Sequence, residues 1–126
     1  MSWDAHLRTP AGEVTGRIGW NHTHNTNRML AAALEAVNGT PLRQDTSAFD
    51  RIVRSSWMDA LDGASFADGQ KLLRSLVVEL IGHPGRYEAM NPPNGWGSRV
   101  SVVQVLLDMA EHQPEEPADT LRWSIQ

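Results

Sequence analysis

The chain has 126 residues, of which 40% are hydrophobic and 21% are charged, and this composition excludes an intrinsically disordered protein. The formal net charge of −4, with a single lysine in the chain, argues against a general nucleic-acid binder, because affinity for phosphate backbones rests on clustered lysine and arginine. The lack of cysteine excludes disulfide bonds, thiolate metal sites and cysteine nucleophiles.

The length and the hydropathy pattern favour one domain and no membrane span. A chain of this size is typical of a single domain, so we predict one domain over residues 1–126. No apolar run approaches the roughly 18 residues that cross a bilayer. Residues 1–6 have neither the basic nor the apolar region of a signal peptide, and we therefore expect a cytoplasmic protein.

Alternation of apolar and polar residues predicts two strands at the start of the chain and one at its end. A turn centred on Ala11 and Gly12 separates the first two strands, which are expected to form an antiparallel hairpin. The apolar positions are Trp3, Ala5 and Leu7 in the first strand, Val14, Ile18 and Trp20 in the second, and Leu121, Trp123 and Ile125 in the terminal strand.

Four segments between these strands carry apolar residues at helical spacing. The predicted helices span about residues 27–37, about residues 48–61, the segment from the capping pair Ser65 and Asp68 to Gly82, and the segment from Ser98 to a point before Pro114. Either Asn25 or Thr26 is expected to cap the first helix by accepting a backbone N–H group. The expected buried residues are Leu30, Ala33, Leu34, Val37, Phe49, Ile52, Val53, Trp57, Ala60, Leu61, Leu72, Leu73, Leu76, Val77, Leu80, Ile81, Val102, Val103, Leu106, Leu107 and Ala110.

Amphipathic strands and helices have to bury their apolar sides against one another. We therefore predict an α+β fold, in which a small antiparallel sheet of about three strands is covered by about four helices. The sheet would consist of the N-terminal hairpin and the C-terminal strand. Its unpaired edges are compatible with either a monomer or a homodimer.

Residues 21–27, which we call the first polar segment, join the second predicted strand to the first predicted helix. Asparagine and threonine satisfy backbone amides at such junctions, so a purely structural role is one interpretation. His22 and His24 would point the same way on an extended chain, and a third ligand would complete a metal site. The free N–H groups at a helix start also suit a phosphate or a carboxylate. The candidate contact residues are Asn21, His22, Thr23, His24, Asn25 and Asn27.

Residues 91–98, which we call the second polar segment, precede the fourth predicted helix. Two prolines stiffen this segment, and glycines on both sides of Trp96 leave the indole free to pack or to be presented. In the structural interpretation, Trp96 fills the core beneath a rigid loop. In the functional interpretation, Asn91, Asn94 and Trp96 form one wall of a recognition surface, since aromatic and amide groups on rigid loops suit binding.

The two polar segments resemble those of a family of small uncharacterised proteins from bacteria, chiefly actinobacteria, and their phages. The first segment carries Asn-x-Thr-x-Asn, and the second belongs to an Arg-Tyr-x-x-x-Asn-Pro-Pro-Asn-Gly-Trp-Gly run over residues 86–97. Because that family has no established activity, the resemblance implies a setting such as host–phage conflict and no particular reaction. Its members often carry aliphatic or aromatic residues in place of His22 and His24, which counts against a metal site.

The sequence contains no Gly-x-Ser-x-Gly nucleophile elbow and no phosphate-binding glycine loop. It also contains no pair of carboxylates within a sequence context that resembles a catalytic motif. The leading hypothesis is therefore a non-enzymatic binding or accessory protein without a cofactor. It would engage a protein partner or a small anionic ligand through the two polar segments, lying side by side. The alternative is a small hydrolase or transferase, metal-assisted through His22 and His24.

Overall fold

The computed structural model describes residues 3–16, 18–22, 24–38, 56–91 and 97–126. These residues form a small antiparallel sheet and five α-helices, so the predicted mixed α+β class is confirmed. In chain order the elements are β1 (Trp3–Arg8), β2 (Gly19–His22), α1 (His24–Asn38), α2 (Ser56–Leu61), α3 (Phe66–Gly82), α4 (Pro84–Glu88), α5 (Arg99–Ala110) and β3 (Arg122–Ile125), with a 3₁₀ turn at Ala118–Thr120.

β1 is the central strand of the sheet, and β2 and β3 pair with it on either side in antiparallel orientation. Ala5 pairs with Ile125 and Leu7 pairs with Trp123, and all four side chains are buried. Because side chains alternate along a strand, these pairs share one face of the sheet. The outer edge of β3 is covered by the segment before α3, where the Gly63 N–H donates to the Trp123 carbonyl at 2.8 Å.

The connection between β1 and β2 differs from the continuous second strand that the alternation predicts. Val14 forms only an isolated bridge with β1, and regular pairing resumes at Gly19, which lies opposite Ala5. Between these points the Thr15 hydroxyl accepts the N–H of Leu7 at 3.0 Å. The Thr15 hydroxyl therefore takes the place of a backbone carbonyl as the hydrogen-bond acceptor for β1. The alternation of apolar and polar residues cannot reveal this exchange.

α1 begins at His24, earlier than predicted, so Asn25 and Thr26 lie in its first turn and not at its cap. The prediction was late because buried apolar positions begin only at Met29, and polar residues of a first turn carry no periodic signal. The predicted apolar side of the helix is buried except for Val37, which is 39% exposed near the helix end.

α2 covers the last part of the second predicted helix. Met58 and Leu61 are buried in it, whereas Ala60, which was expected to be buried, is exposed. Residues 48–55, with the expected buried Phe49, Ile52 and Val53, lie outside the described residues.

α3 begins at the predicted cap, where the Ser65 hydroxyl accepts the N–H of Asp68 at 3.2 Å. Gly69, one turn further along, lies so close to the Trp123 indole that a Cβ atom would overlap the ring. Ile81, which was expected to be buried, is 54% exposed in the last turn. The buried apolar residues of the helix are Leu73, Leu76, Val77 and Leu80.

α4 was not predicted, because Pro84 was interpreted only as the end of the preceding helix. Pro84 is the first residue of α4. An N–H group at this position has no partner within the helix, so a proline fits there without the loss of a hydrogen bond. The described part of the chain therefore has five α-helices where four were expected. α5 ends at Ala110, and Val102, Leu106 and Ala110 are buried in it as predicted.

The buried apolar residues of the strands and helices form one cluster between the sheet and the helices. The partly buried Phe66 packs against this cluster by stacking on the Trp123 indole, with 6.1 Å between the ring centroids and 7° between the ring planes. Among the described helices, none is long and apolar enough to cross a bilayer.

Candidate binding site

The second polar segment connects α4 to α5, and the structure describes its two ends. Asn91 is exposed at the first end, while Gly97 at the other end has a φ angle of +77°, a backbone conformation that favours glycine. Residues 92–96 lie outside the described residues, and with them the predicted contacts Asn94 and Trp96. The described geometry therefore concerns how this loop is held.

The side-chain amide of Asn91 ties the two ends of the loop together. Its Oδ1 accepts the backbone N–H of Arg99 at 2.9 Å, and its Nδ2 donates to Glu88 Oε2. Glu88 is the last residue of α4 and Arg99 is the first residue of α5, so one side chain joins both helices. The donor and the acceptor of this amide are both engaged within the protein, which gives Asn91 a positioning role.

An ion pair between Glu88 and Arg99 reinforces the same junction. Arg99 Nε donates to Glu88 Oε1 at 2.7 Å, and its Nη1 donates to the Leu80 carbonyl of α3 at 3.2 Å. The hydrogen bond from Arg99 is the main cause that holds the pKa of Glu88 below its ordinary value of 4.5. The guanidinium thus fastens the start of α5 to both α3 and α4.

Glu79 makes a second polar junction, between α3 and α4. Its side chain, which is 13% exposed, accepts from the Tyr87 hydroxyl at 3.0 Å and from Arg86 Nη1 at 2.9 Å. Tyr87 is buried, and burial is the main cause that raises its pKa above the ordinary 10.0. His83 Nε2 lies 3.4 Å from the second Glu79 oxygen. We call the following residues the loop frame: Glu79, Arg86, Tyr87, Glu88, Asn91 and Arg99.

Three of the backbone N–H groups at the start of α5 have partners within the protein. The Arg99 N–H bonds to Asn91, the Ser101 N–H to the Ser98 hydroxyl, and the Val102 N–H to the Ser98 carbonyl. An anion bound at a helix start needs several free N–H groups directed at it. The described hydrogen bonds at the start of α5 therefore hold the loop end.

The first polar segment changes from strand to helix within a few residues. β2 ends at His22, α1 begins at His24, and Thr23 between them lies outside the described residues. The metal hypothesis depends on an extended backbone through both histidines. The structure instead places His22 at the end of a strand and His24 at the start of a helix. Within the described ranges, no group of three or more metal-ligating side chains is placed to hold an ion. Asn25 and Asn27 lie in the first turn of α1, where N–H groups lack intrahelical partners.

The contacts of the described residues do not bring the two polar segments together. Gly19 at the start of β2 packs against Met109 near the end of α5. The second polar segment adjoins Arg99 at the opposite end of α5, and Met109 and Arg99 are about 15 Å apart along the helix for a rise of roughly 1.5 Å per residue. That the two segments form one continuous surface stays a prediction.

Most of the loop frame was missed by the sequence analysis. Glu79 and Arg86 are seven residues apart, and Glu88 and Arg99 are eleven apart, across turns whose geometry no regular spacing encodes. Arg86 and Tyr87 do lie in residues 86–97, the run on which the predicted family resemblance rests, and this is the one signal that pointed to them.

The chain has no significant match among protein-family models, curated proteins or solved structures. The resemblance to the actinobacterial and phage proteins therefore stays a prediction. The function has to be argued from the residues themselves.

Proposed function

We propose that the chain is a non-enzymatic binding or accessory protein that engages a protein partner through the second polar segment. The first polar segment would complete the binding surface. The observation that carries the proposal is the loop frame. In it, side chains of α4 and α5 and the Leu80 carbonyl of α3 hold the two ends of residues 91–98, while Glu79 of α3 bonds to Tyr87 of α4.

The loop frame supports a binding role because it holds the two ends of the second polar segment, and Asn91 at the first of these ends is exposed. Asn91 and Glu88 are exposed, so their contacts add little to the buried apolar core. They do fix the spacing and orientation of the loop ends before any partner arrives. Fixing a loop in advance lowers the conformational entropy that ordering it would cost on binding. Asn94 and Trp96 within the loop are residue types that suit a protein interface.

A protein partner is favoured over a small anionic ligand at the second polar segment. Three N–H groups at the start of α5 have partners within the protein, and the Val100 side chain is 66% exposed and offers an apolar contact. A small anion would instead have to use the first-turn N–H groups of α1, with Asn25 and Asn27 as additional donors.

The proposed setting is the cytoplasm of a bacterium, with the protein acting as a monomer or a homodimer and without a cofactor. The bacterial or phage origin rests on the run at residues 86–97. The cytoplasmic location rests on the cysteine-free composition.

The experiment that tests the proposal begins with co-purification of the tagged protein from its native host and identification of the bound protein by mass spectrometry. The affinity of that purified protein is then measured for the wild type and for Trp96→Ala and Asn25→Ala. We expect both substitutions to weaken binding by roughly tenfold or more, because tryptophan anchors dominate interface energies and a partner group that loses its hydrogen bond in the interface costs about 1–3 kcal/mol.

Val78→Ala is the control, because Val78 is 71% exposed on α3 and lies outside both polar segments. It should leave affinity and thermal stability unchanged. If Trp96→Ala and Asn25→Ala lower the melting temperature but bind the partner like the wild type, the two segments are scaffolding and the proposal is wrong.

A further inference from the structure

We draw no further inference here: the strongest candidate, the open cleft of about 710 Å³ between the β1–β2 connection at Thr15, Gly16 and Ile18 and the chain from Asp108 to Glu116, would suit a cationic ligand, but its case rests on a cluster of exposed carboxylates alone.

Discussion

The two ends of α3 are held by different kinds of contact. At its start, Gly69 packs directly on the Trp123 indole, and Phe66 stacks on the same ring. At its end, Glu79 and the Leu80 carbonyl accept hydrogen bonds from side chains of α4 and α5. Apolar burial is non-directional and scales with area, whereas a hydrogen-bonded charge fixes orientation and has a small net energy. We infer that the start of α3 provides stability and that its end provides loop geometry.

The largest effect is expected for Trp123→Ala, which removes the β3 side chain against which the start of α3 packs. Trp123 is 1% exposed, and its removal would leave a cavity facing Gly69 and Phe66. We expect the free energy of unfolding to fall by about 3–5 kcal/mol, as for other large-to-small substitutions in a core. Urea denaturation followed by circular dichroism measures this change. A loss below about 1 kcal/mol would mean that apolar contact is not what anchors this end of the helix.

Gly69→Ala tests the same contact with a smaller change. Alanine usually stabilises a helix by roughly 1 kcal/mol over glycine. Here the added Cβ would overlap the indole of Trp123, so we expect a net loss of about 1–3 kcal/mol in the free energy of unfolding.

Gly82→Ala is the matched control for that substitution, because Gly82 lies in the same helix with nothing within 4 Å of the added atom. It should be neutral or stabilising by up to about 1 kcal/mol. The same urea denaturation should therefore show a loss of stability for Gly69→Ala and no loss for Gly82→Ala. Equal effects at both glycines would contradict the close packing at Gly69.

Tyr87→Phe addresses the other end of α3 with an intermediate effect. It removes the hydroxyl that donates to Glu79 and keeps the buried ring, so we expect a loss of about 0.5–1.5 kcal/mol in the free energy of unfolding. Burial raises the pKa of Tyr87 above its ordinary 10.0. The associated stability is therefore present below pH 10.0 and is lost as the pH rises through the folded-state pKa.

The phenol can be followed directly, since Tyr87 is the single tyrosine of the chain. Its ultraviolet absorbance should titrate at a higher pH in the folded protein than in urea. Coincident titrations in the two conditions would show that the hydroxyl is not sequestered against Glu79.

Both ends of α3 could be predicted from the sequence, whereas the side-chain contacts at its C-terminal end could not. The cap at Ser65 and the leucines from Leu73 onward follow local rules of spacing, which the sequence contains in full. The bond between Glu79 and Tyr87 depends on how α4 turns back onto α3, and that turn has no periodic apolar pattern. Asn91 was selected from its position in a polar loop, but only the structure shows that its amide joins two helices.

The smallest effect on stability, and the sharpest test of the loop frame, is expected for Glu88→Gln. The Glu88 side chain is 43% exposed, so its charge should matter little to the urea midpoint. The substitution weakens the acceptor for Arg99 and Asn91, and we expect affinity for the co-purified partner to fall by roughly threefold or more because the loop ends are less well fixed. Calorimetric titration measures this affinity, and Glu35→Gln on the exposed side of α1 is the control.

Lowering the pH is expected to weaken the ion pair between Glu88 and Arg99. Because the pKa of Glu88 lies below 4.5 in the folded protein, its contribution to stability is present above pH 4.5 and is lost as the pH falls through the folded-state pKa. The side-chain amide resonances of Asn91 in the NMR spectrum should shift over this range in the wild type and stay constant in Glu88→Gln. If they shift equally in both proteins, Glu88 does not hold Asn91. The polar contacts near the end of α3 would then not position the second polar segment, and the proposed difference between the two ends of α3 would be wrong.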